Sequence, residues 1–384
     1  MINIVYVSNF LNHHQKLVAD ILYSTEGIEY TFVETVPMYN WLKKGGYTDY
    51  SQEPYVLKAW ENIENKQKTI DLVLAADIAI FSCPESLQYQ VIRAKTGKLT
   101  FDVSERWLKR GWLNLASPRL LKYLWYYFTV FNHKRVYKLC SSAFACGDHY
   151  KLHSFKDKCY KWGYFTKVDR NLDVEESLGV SRCETLHTLM WCARFLKWKH
   201  PELPIQMAAR LKEKGYKFVL DMYGSGKELE KTRTLSKLLN VEDIVCFKGN
   251  MPNDEILKAM REHEIFLFTS DKNEGWGAVA NESMSNGCAI VASDAIGSIP
   301  FLVNDGINGC IFESCKLDSL CEKVEWLLDN PNERKKIAIN AYHTMRDIWS
   351  PQNAANNFLK LVEVLQSGNN TMLINGPCSK AYPI

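Results

Sequence analysis

Glu274-Gly275-Trp276-Gly277-Ala278-Val279-Ala280-Asn281-Glu282 sets two carboxylates at either end of a segment that opens with a Gly-x-Gly. Upstream, Ile265-Phe266-Leu267-Phe268 is a short apolar run ending in Thr269-Ser270, the pattern of a buried parallel strand entering a loop. Downstream, residues 279–286 read as a helix stopped by Gly287, and Ala289 to Ala292 read as the next strand. Strand, glycine-rich loop, helix, strand is the setting in which backbone N–H groups at a helix start hold a phosphate. Glu274 falls in the loop, and Glu282 falls roughly one and a half turns into the helix if that helix begins near Gly277. A loop carboxylate suits sugar hydroxyls and a helix carboxylate suits a ribose diol, which is the layout of a nucleotide-sugar site. The bland alternative is a solvated helix face beside an unrelated loop acid; the Gly-Trp-Gly and the flanking strands weigh against it.

Taken together, the Glu274…Glu282 pair, Gly287 and Ala289-Ile-Val-Ala-Ser293 resemble the nucleotide-sugar signature of retaining GT-B glycosyltransferases, and more narrowly family 4. Other members of that family build bacterial surface polysaccharides and glycolipids. The resemblance implies an α/β protein of two doubly wound, Rossmann-like parallel-sheet domains facing across a cleft. It implies a nucleotide diphosphate sugar (UDP- or GDP-linked) as donor, a saccharide or lipid-linked acceptor, and neither cofactor nor metal. The donor would be lined by Gly275, Trp276, Gly277, Ala278 and Val279, backbone amides near Gly275 to Ala278 completing its anion site, with Glu274 orienting its sugar and Glu282 holding its ribose. Arg194 and Lys199 follow a strand read at Thr188 to Cys192 and match the Arg…Lys pair with which the family grips the diphosphate. Two cations offset the negative charge that grows on a departing diphosphate without a metal. Gly224-Ser225-Gly226 is similar to the family's loop along the nucleotide cleft; as a dinucleotide fingerprint it is incomplete, because Leu229 stands where the third glycine belongs. Lys248 lies in Cys246 to Asn250, where the family presents backbone to the base. The absence of any Asp-x-Asp in the chain favours the GT-B mode over metal-dependent GT-A enzymes.

The first half departs from the family pattern. Its first strand is followed by Ser8-Asn9-Phe10-Leu11-Asn12, without glycine, and Ser104-Glu105-Arg106 stands where a histidine is usual. Glu105 is a candidate to replace that histidine beside the reacting sugar, and Arg106 to meet a phosphate. Asn9, His13 and His14 are further candidates, although histidines at a helix entry are more often polar surface.

Strand–helix alternation runs through both halves, as doubly wound sheets require. In the first, strands are expected at Ile2 to Val7, Tyr30 to Glu34, Ile78 to Phe81, Lys98 to Val103 and Ala143 to Cys146. Helices are expected from Asn12, from Lys58 to Ala75 and from Ser86 to Ala94. The domains are placed at 1–170 and 185–348, with a polar linker at 171–184 between them. A helix at 349–366 returns, by the resemblance, to the first domain, and a Gly-, Asn- and Ser-rich tail at 367–384 is expected to fray.

The 384 residues suit two ordinary domains, with 46% apolar and 24% charged residues and a net charge of +3. Charge is unevenly spread: Arg106 to Lys138 carries Lys and Arg at eight positions and no acid. There Ser117-Pro118 reads as a helix start, and Tyr123 to Phe131 is too short to span a bilayer. A helix at an anionic membrane surface and a core helix with solvated basic ends both fit. Nothing beyond charge suggests nucleic acid. The twelve cysteines include no Cys-x-x-Cys, and the chain opens on a strand pattern rather than a signal peptide, so a cytoplasmic protein with free thiols is expected, peripheral on the membrane if the basic helix docks there. Two rivals stay open: a NAD-linked oxidoreductase, and a catalytically silent nucleotide-sugar-binding partner of another transferase.

Overall fold

A computed structural model describes residues 1–40, 42, 47–175, 186–368 and 373–384. The chain divides into two compact units, Met1–Thr166 with Ser350–Ile384, and Lys167–Trp349.

The first unit alternates β1 (Ile2–Ser8), α1 (His13–Ser24), β2 (Ile28–Glu34), β3 (Val56–Lys58), α2 (Ile63–Ala75), β4 (Ile78–Phe81), α3 (Leu87–Lys95) and β5 (Leu99–Ser104). Then come α4 (Pro118–Tyr126), β6 (Val136–Cys140), α5 (Ala143–Lys151) and β7 (Cys159–Lys161). Its seven strands are ordered β3-β2-β1-β4-β5-β6-β7, and every pair is parallel. The central strand β4 is apolar along its whole length because helices cover both faces; Ile78 to Phe81 are all buried. Asn12 caps α1 through its side chain, which accepts from the His14 and Gln15 amides.

The second unit runs β8 (His187–Cys192), α6 (Glu202–Glu213), β9 (Phe218–Tyr223), α7 (Leu229–Leu238), β10 (Val245–Gly249), α8 (Asn253–Glu262) and β11 (Ile265–Phe268). It continues with α9 (Val279–Ser285), β12 (Ala289–Ser293), α10 (Ile299–Leu302), β13 (Cys310–Phe312), α11 (Leu317–Asp329) and α12 (Pro331–Asp347). Its six strands, ordered β10-β9-β8-β11-β12-β13, are again parallel. Strand order reverses between β8 and β11, so the loops leaving their carboxyl ends part there and open a crevice, the usual ligand position in such sheets. The last helix, α13 (Pro351–Ser367), belongs to the first unit, where it packs along α1 and sets Phe358 edge-on to Phe101.

Several expectations are corrected. Ala143 to Cys146 is the start of α5, not a strand; the strand is β6, whose apolar pattern is broken by Lys138. Lys138 is nevertheless fully buried, because its ammonium meets Asp102 on the neighbouring strand. The helix expected from Lys58 begins at Ile63, and Val56–Lys58 is an edge strand instead. Leu172 and Val174, placed in the linker, pack on the core of the second unit; residues 176–184 of that linker lie outside the described residues. The tail does more than fray. Cys378 N donates to Lys161 O (2.7 Å), Lys161 N to Ser379 O (2.8 Å) and Ala381 N to Cys159 O (3.1 Å), so the segment pairs antiparallel with the outer edge of β7. Residues 376–379 are buried there, which covers a sheet edge that would otherwise offer unpaired backbone groups.

Candidate functional site

In the second unit the crevice between β8 and β11 gathers most of the residues singled out from sequence. Lys199 lies in the short turn after β8 and Glu274 in the loop after β11; both are buried, and the Lys199 ammonium is paired with Glu274 Oε2. The same carboxylate oxygen accepts from Ser270 Oγ at 2.9 Å. Beneath them Trp191 Nε1 donates to Thr269 Oγ1 (2.9 Å), which in turn donates to Lys199 O (2.7 Å), tying the two loops together at the strand ends. The Trp198 ring lies 4.3 Å from the Lys199 ammonium, a cation–π contact inside an enclosed site. Burial lowers the Lys199 pKa, opposed by Glu274 and reinforced by Arg194, whose side chain is exposed nearby. A desolvated lysine paired with a carboxylate, beside an exposed guanidinium, is an attractor for a polyanion.

Two glycines make the loops possible. A Cβ on Gly224 would stand 2.0 Å from the Ala193 carbonyl oxygen, so the loop after β9 lies directly against the loop after β8 only because Gly224 has none. Gly277 has φ +83°, and a Cβ there would strike the Phe268 ring at 2.4 Å. Gly226, the other member of that Gly-x-Gly, is held against Phe195, whose amide donates to Ser225 O.

Glu282 sits in the first turn of α9, which starts at Val279 rather than near Gly277. It is half-buried, and burial pushes its carboxyl up to about 7, with Asn253 at the start of α8 pulling the other way. Glu282 and Lys199 both act on the thiol of Cys192, at the end of β8, which burial raises to about 12. The two glutamates and the lysine therefore flank one strand end. Ala278 and Val279 are half-buried along the same rim, and Gly275 is buried beside Glu274.

At two of the expected binding residues the side chain is engaged within the protein. Trp276 is a core residue: it is 1% exposed, its indole N–H donates to Asn281 Oδ1 (2.8 Å), and it packs against Trp349 and Phe301. The indole anchors the loop, and the contact expected of this stretch, through backbone amides, does not depend on it. The Lys248 ammonium is 3.1 Å from Asp221 Oδ2, an ion pair shared with His263, which leaves the backbone contact expected of residues 246–250 as it stood. Sequence reading missed Ser270 and Trp198, which became visible only once β8 and β11 were neighbours. It also missed His200, a left-handed residue (φ 51°) between Glu202 and Asp271 whose pKa is raised by its hydrogen bond to Glu202.

In the first unit a cavity of about 550 Å³ opens at the carboxyl ends of β1, β4 and β5. Asn9, Asn12, His14, Glu105, Arg106 and Tyr164 contribute to its lining. Asn9 Oδ1 accepts from the Phe10 amide at 2.9 Å and holds the glycine-free loop in place. Glu105 accepts from the Tyr164 hydroxyl (2.7 Å) and pairs with Lys109 (2.6 Å). Arg106 is engaged by the buried Asp148 at 3.3 Å. His13 is corrected: His14, stacked on Tyr164, faces the cavity while His13 packs against His14 and Tyr47. Burial, then the neighbouring His13, drives the His14 pKa down to about 3, so this imidazole is neutral at physiological pH.

Residues 182–344 match the model of the family described as glycosyl transferases group 1. A poly(glycerol-phosphate) alpha-glucosyltransferase of Bacillus subtilis is 28% identical over 141 residues, 36% of this chain and 20% of that protein. The chain thus spans about a fifth of the length of that relative. Among solved structures, Anabaena HepE in complex with UDP and glucose superposes with a TM-score of 0.65 at 15% identity, covering 96% of this chain and 100% of that one. The lipopolysaccharide outer core galactosyltransferase WaaB superposes with a TM-score of 0.68 at 15% identity, covering 94% and 99%. Likeness at that identity carries the fold, two Rossmann-like parallel-sheet domains of the GT-B type, while the family match carries the second unit. The chain has the GT-B fold, and its residues 182–344 match the model of the glycosyl transferases group 1 family.

Proposed function

We propose that the protein is a retaining glycosyltransferase that moves a sugar from a nucleotide diphosphate sugar to a saccharide or lipid-linked acceptor. The observation that carries the reading is the buried Lys199–Glu274 pair at the crevice between β8 and β11. An ion pair there gains little for stability over apolar packing, but it presents one ammonium and one carboxylate to a ligand that carries both phosphate and hydroxyls. Arg194 and Lys199 take the diphosphate, Glu274 orients the donor sugar and Glu282 holds the ribose diol. As the bond between the anomeric carbon and the diphosphate oxygen breaks, its electron pair passes to that oxygen, and the two cations offset the new charge. The acceptor hydroxyl adds to the same face of the anomeric carbon and gives its proton to the departing diphosphate, so no enzyme nucleophile or metal is required.

UDP in HepE, and the glycan-building activities named for the Bacillus relative and for WaaB, support a UDP-linked donor and a bacterial surface glycan as product. The proposed setting is the cytoplasm. The test is turnover of a panel of UDP- and GDP-sugars with acceptor, with the anomeric configuration of the product read by NMR and chelator present throughout. Product with retained configuration supports the reading; inversion, or loss of activity on chelation, overturns that part of it.

One observation favours a second reading, a silent nucleotide-sugar-binding partner of another transferase. Glu105, the candidate beside the reacting sugar, is already held by Tyr164 and Lys109. Nucleotide-sugar binding without turnover against any acceptor would select that alternative.

A further inference from the structure

The segment from Arg110 to Arg135 carries a surface that the transfer reaction does not use. α4 contains no fully buried residue, whereas α1 and α3 each bury several. It is held from one side only. The Tyr123 hydroxyl donates to Asp102, and Tyr127 and Phe131 are buried in the widened turn that follows, residues 127–131. On the opposite side Leu121, Trp125 and Phe128 recur at helical spacing and are 51%, 60% and 49% exposed. Just before the helix Trp112 and Leu113 are 60% and 79% exposed. Five large apolar side chains uncovered within one short segment form a patch, not the scattered surface residues normal for a protein.

The charge around the patch is of one sign. Arg110, Arg119, Lys122, Lys134 and Arg135 are exposed, and residues 106–138 contain no Asp or Glu. Of the eight cations in that range Lys138 is buried on Asp102 and Arg106 is engaged by Asp148, so neither belongs to the surface. A second copy of the same face would bring like charges together, which weighs against self-association. Among the described residues no helix is long and apolar enough to cross a membrane.

We infer that this face docks the protein on an anionic lipid bilayer, with the apolar stripe entering the headgroup boundary and the cations meeting lipid phosphates. Aromatic rings with a polar edge and a ring of lysine and arginine are the two contributions such attachment needs. The attachment is to the surface only, and it stands whether or not the crevice binds a donor.

The full chain is to be floated with phosphatidylcholine vesicles containing or lacking phosphatidylglycerol, over a salt series. Binding is expected only with the anionic lipid and is expected to weaken as salt rises. Lys122→Glu with Lys134→Glu, and separately Trp125→Ala with Phe128→Ala, should each weaken partition by about tenfold or more. Because these side chains are exposed, melting temperature should not change. Absence of binding to anionic vesicles, or binding that both double variants leave intact, overturns the inference. So does a dimer that dissolves with the Trp125/Phe128 variant, or preferential binding of a single-stranded oligonucleotide.

Discussion

Glu282 gives the proposed donor site a pH signature with a sign. Its carboxyl titrates at about 7 rather than the usual 4.5, because the side chain is desolvated at the start of α9. A ribose diol needs two acceptor oxygens, so the ionised form is the one that binds. With a pKa of about 7 roughly a tenth is ionised at pH 6 and nine tenths at pH 8. Apparent affinity therefore rises about tenfold across that interval, or about 1.4 kcal/mol. Calorimetry with an intact nucleotide sugar is the clean assay, since its diphosphate lacks the terminal phosphate that titrates near pH 6 in a nucleoside diphosphate. The stability of the ligand-free protein should move the other way. A carboxyl whose folded pKa is raised binds a proton that the unfolded chain releases, so stability falls as pH rises from about 4.5 and levels off above about 7. The full span is at most about 3.5 kcal/mol, from 7 minus 4.5 at about 1.4 kcal/mol per unit. Glu282→Gln should remove both slopes and raise the donor's apparent binding constant with little effect on turnover. Affinity that is flat or falling from pH 6 to pH 8 in the unmodified protein would refute the ribose role.

Lys199→Ala should cost UDP binding about 1–3 kcal/mol more than uridine binding, because only the diphosphate meets the ammonium; equal losses, measured by calorimetry, would remove Lys199 from the phosphate site. Glu274→Gln should mainly lower turnover if its contact to the sugar strengthens as charge develops. Glu274→Leu should in addition lower the melting temperature, since an unpaired buried ammonium costs about 3–5 kcal/mol. Lys138→Met, far in sequence from the crevice loops, should destabilise by a similar amount through the orphaned Asp102; an unchanged melting temperature would show that Tyr123 and Gln90 suffice to hold that carboxylate.

The strand–loop–helix–strand unit from Ile265 to Ser293 was legible in the sequence because its information is local. A four-residue apolar run, a Gly-x-Gly loop and a short helix stopped by Gly287 specify their own conformations, and repetition of strand and helix specifies a doubly wound sheet. Glu274 and Glu282 were legible for the same reason, and Arg194 and Lys199 through the resemblance. The tertiary structure decided which of these charges are free. Lys199 and Glu274 are 75 residues apart and meet only because β8 and β11 are adjacent, so no window of sequence shows that they neutralise each other. The sequence does not say where the Trp276 side chain goes, and the fold engages its indole with Asn281, Phe301 and Trp349. Lys138 broke the pattern of a core strand, and only Asp102 across the sheet makes its burial tolerable. The tail, polar and glycine-rich by composition, acquired structure from the open edge of β7. Periodicity and turn chemistry are properties of neighbouring residues. The compensation of a buried charge, or of an unpaired sheet edge, is a property of residues that only the fold brings together.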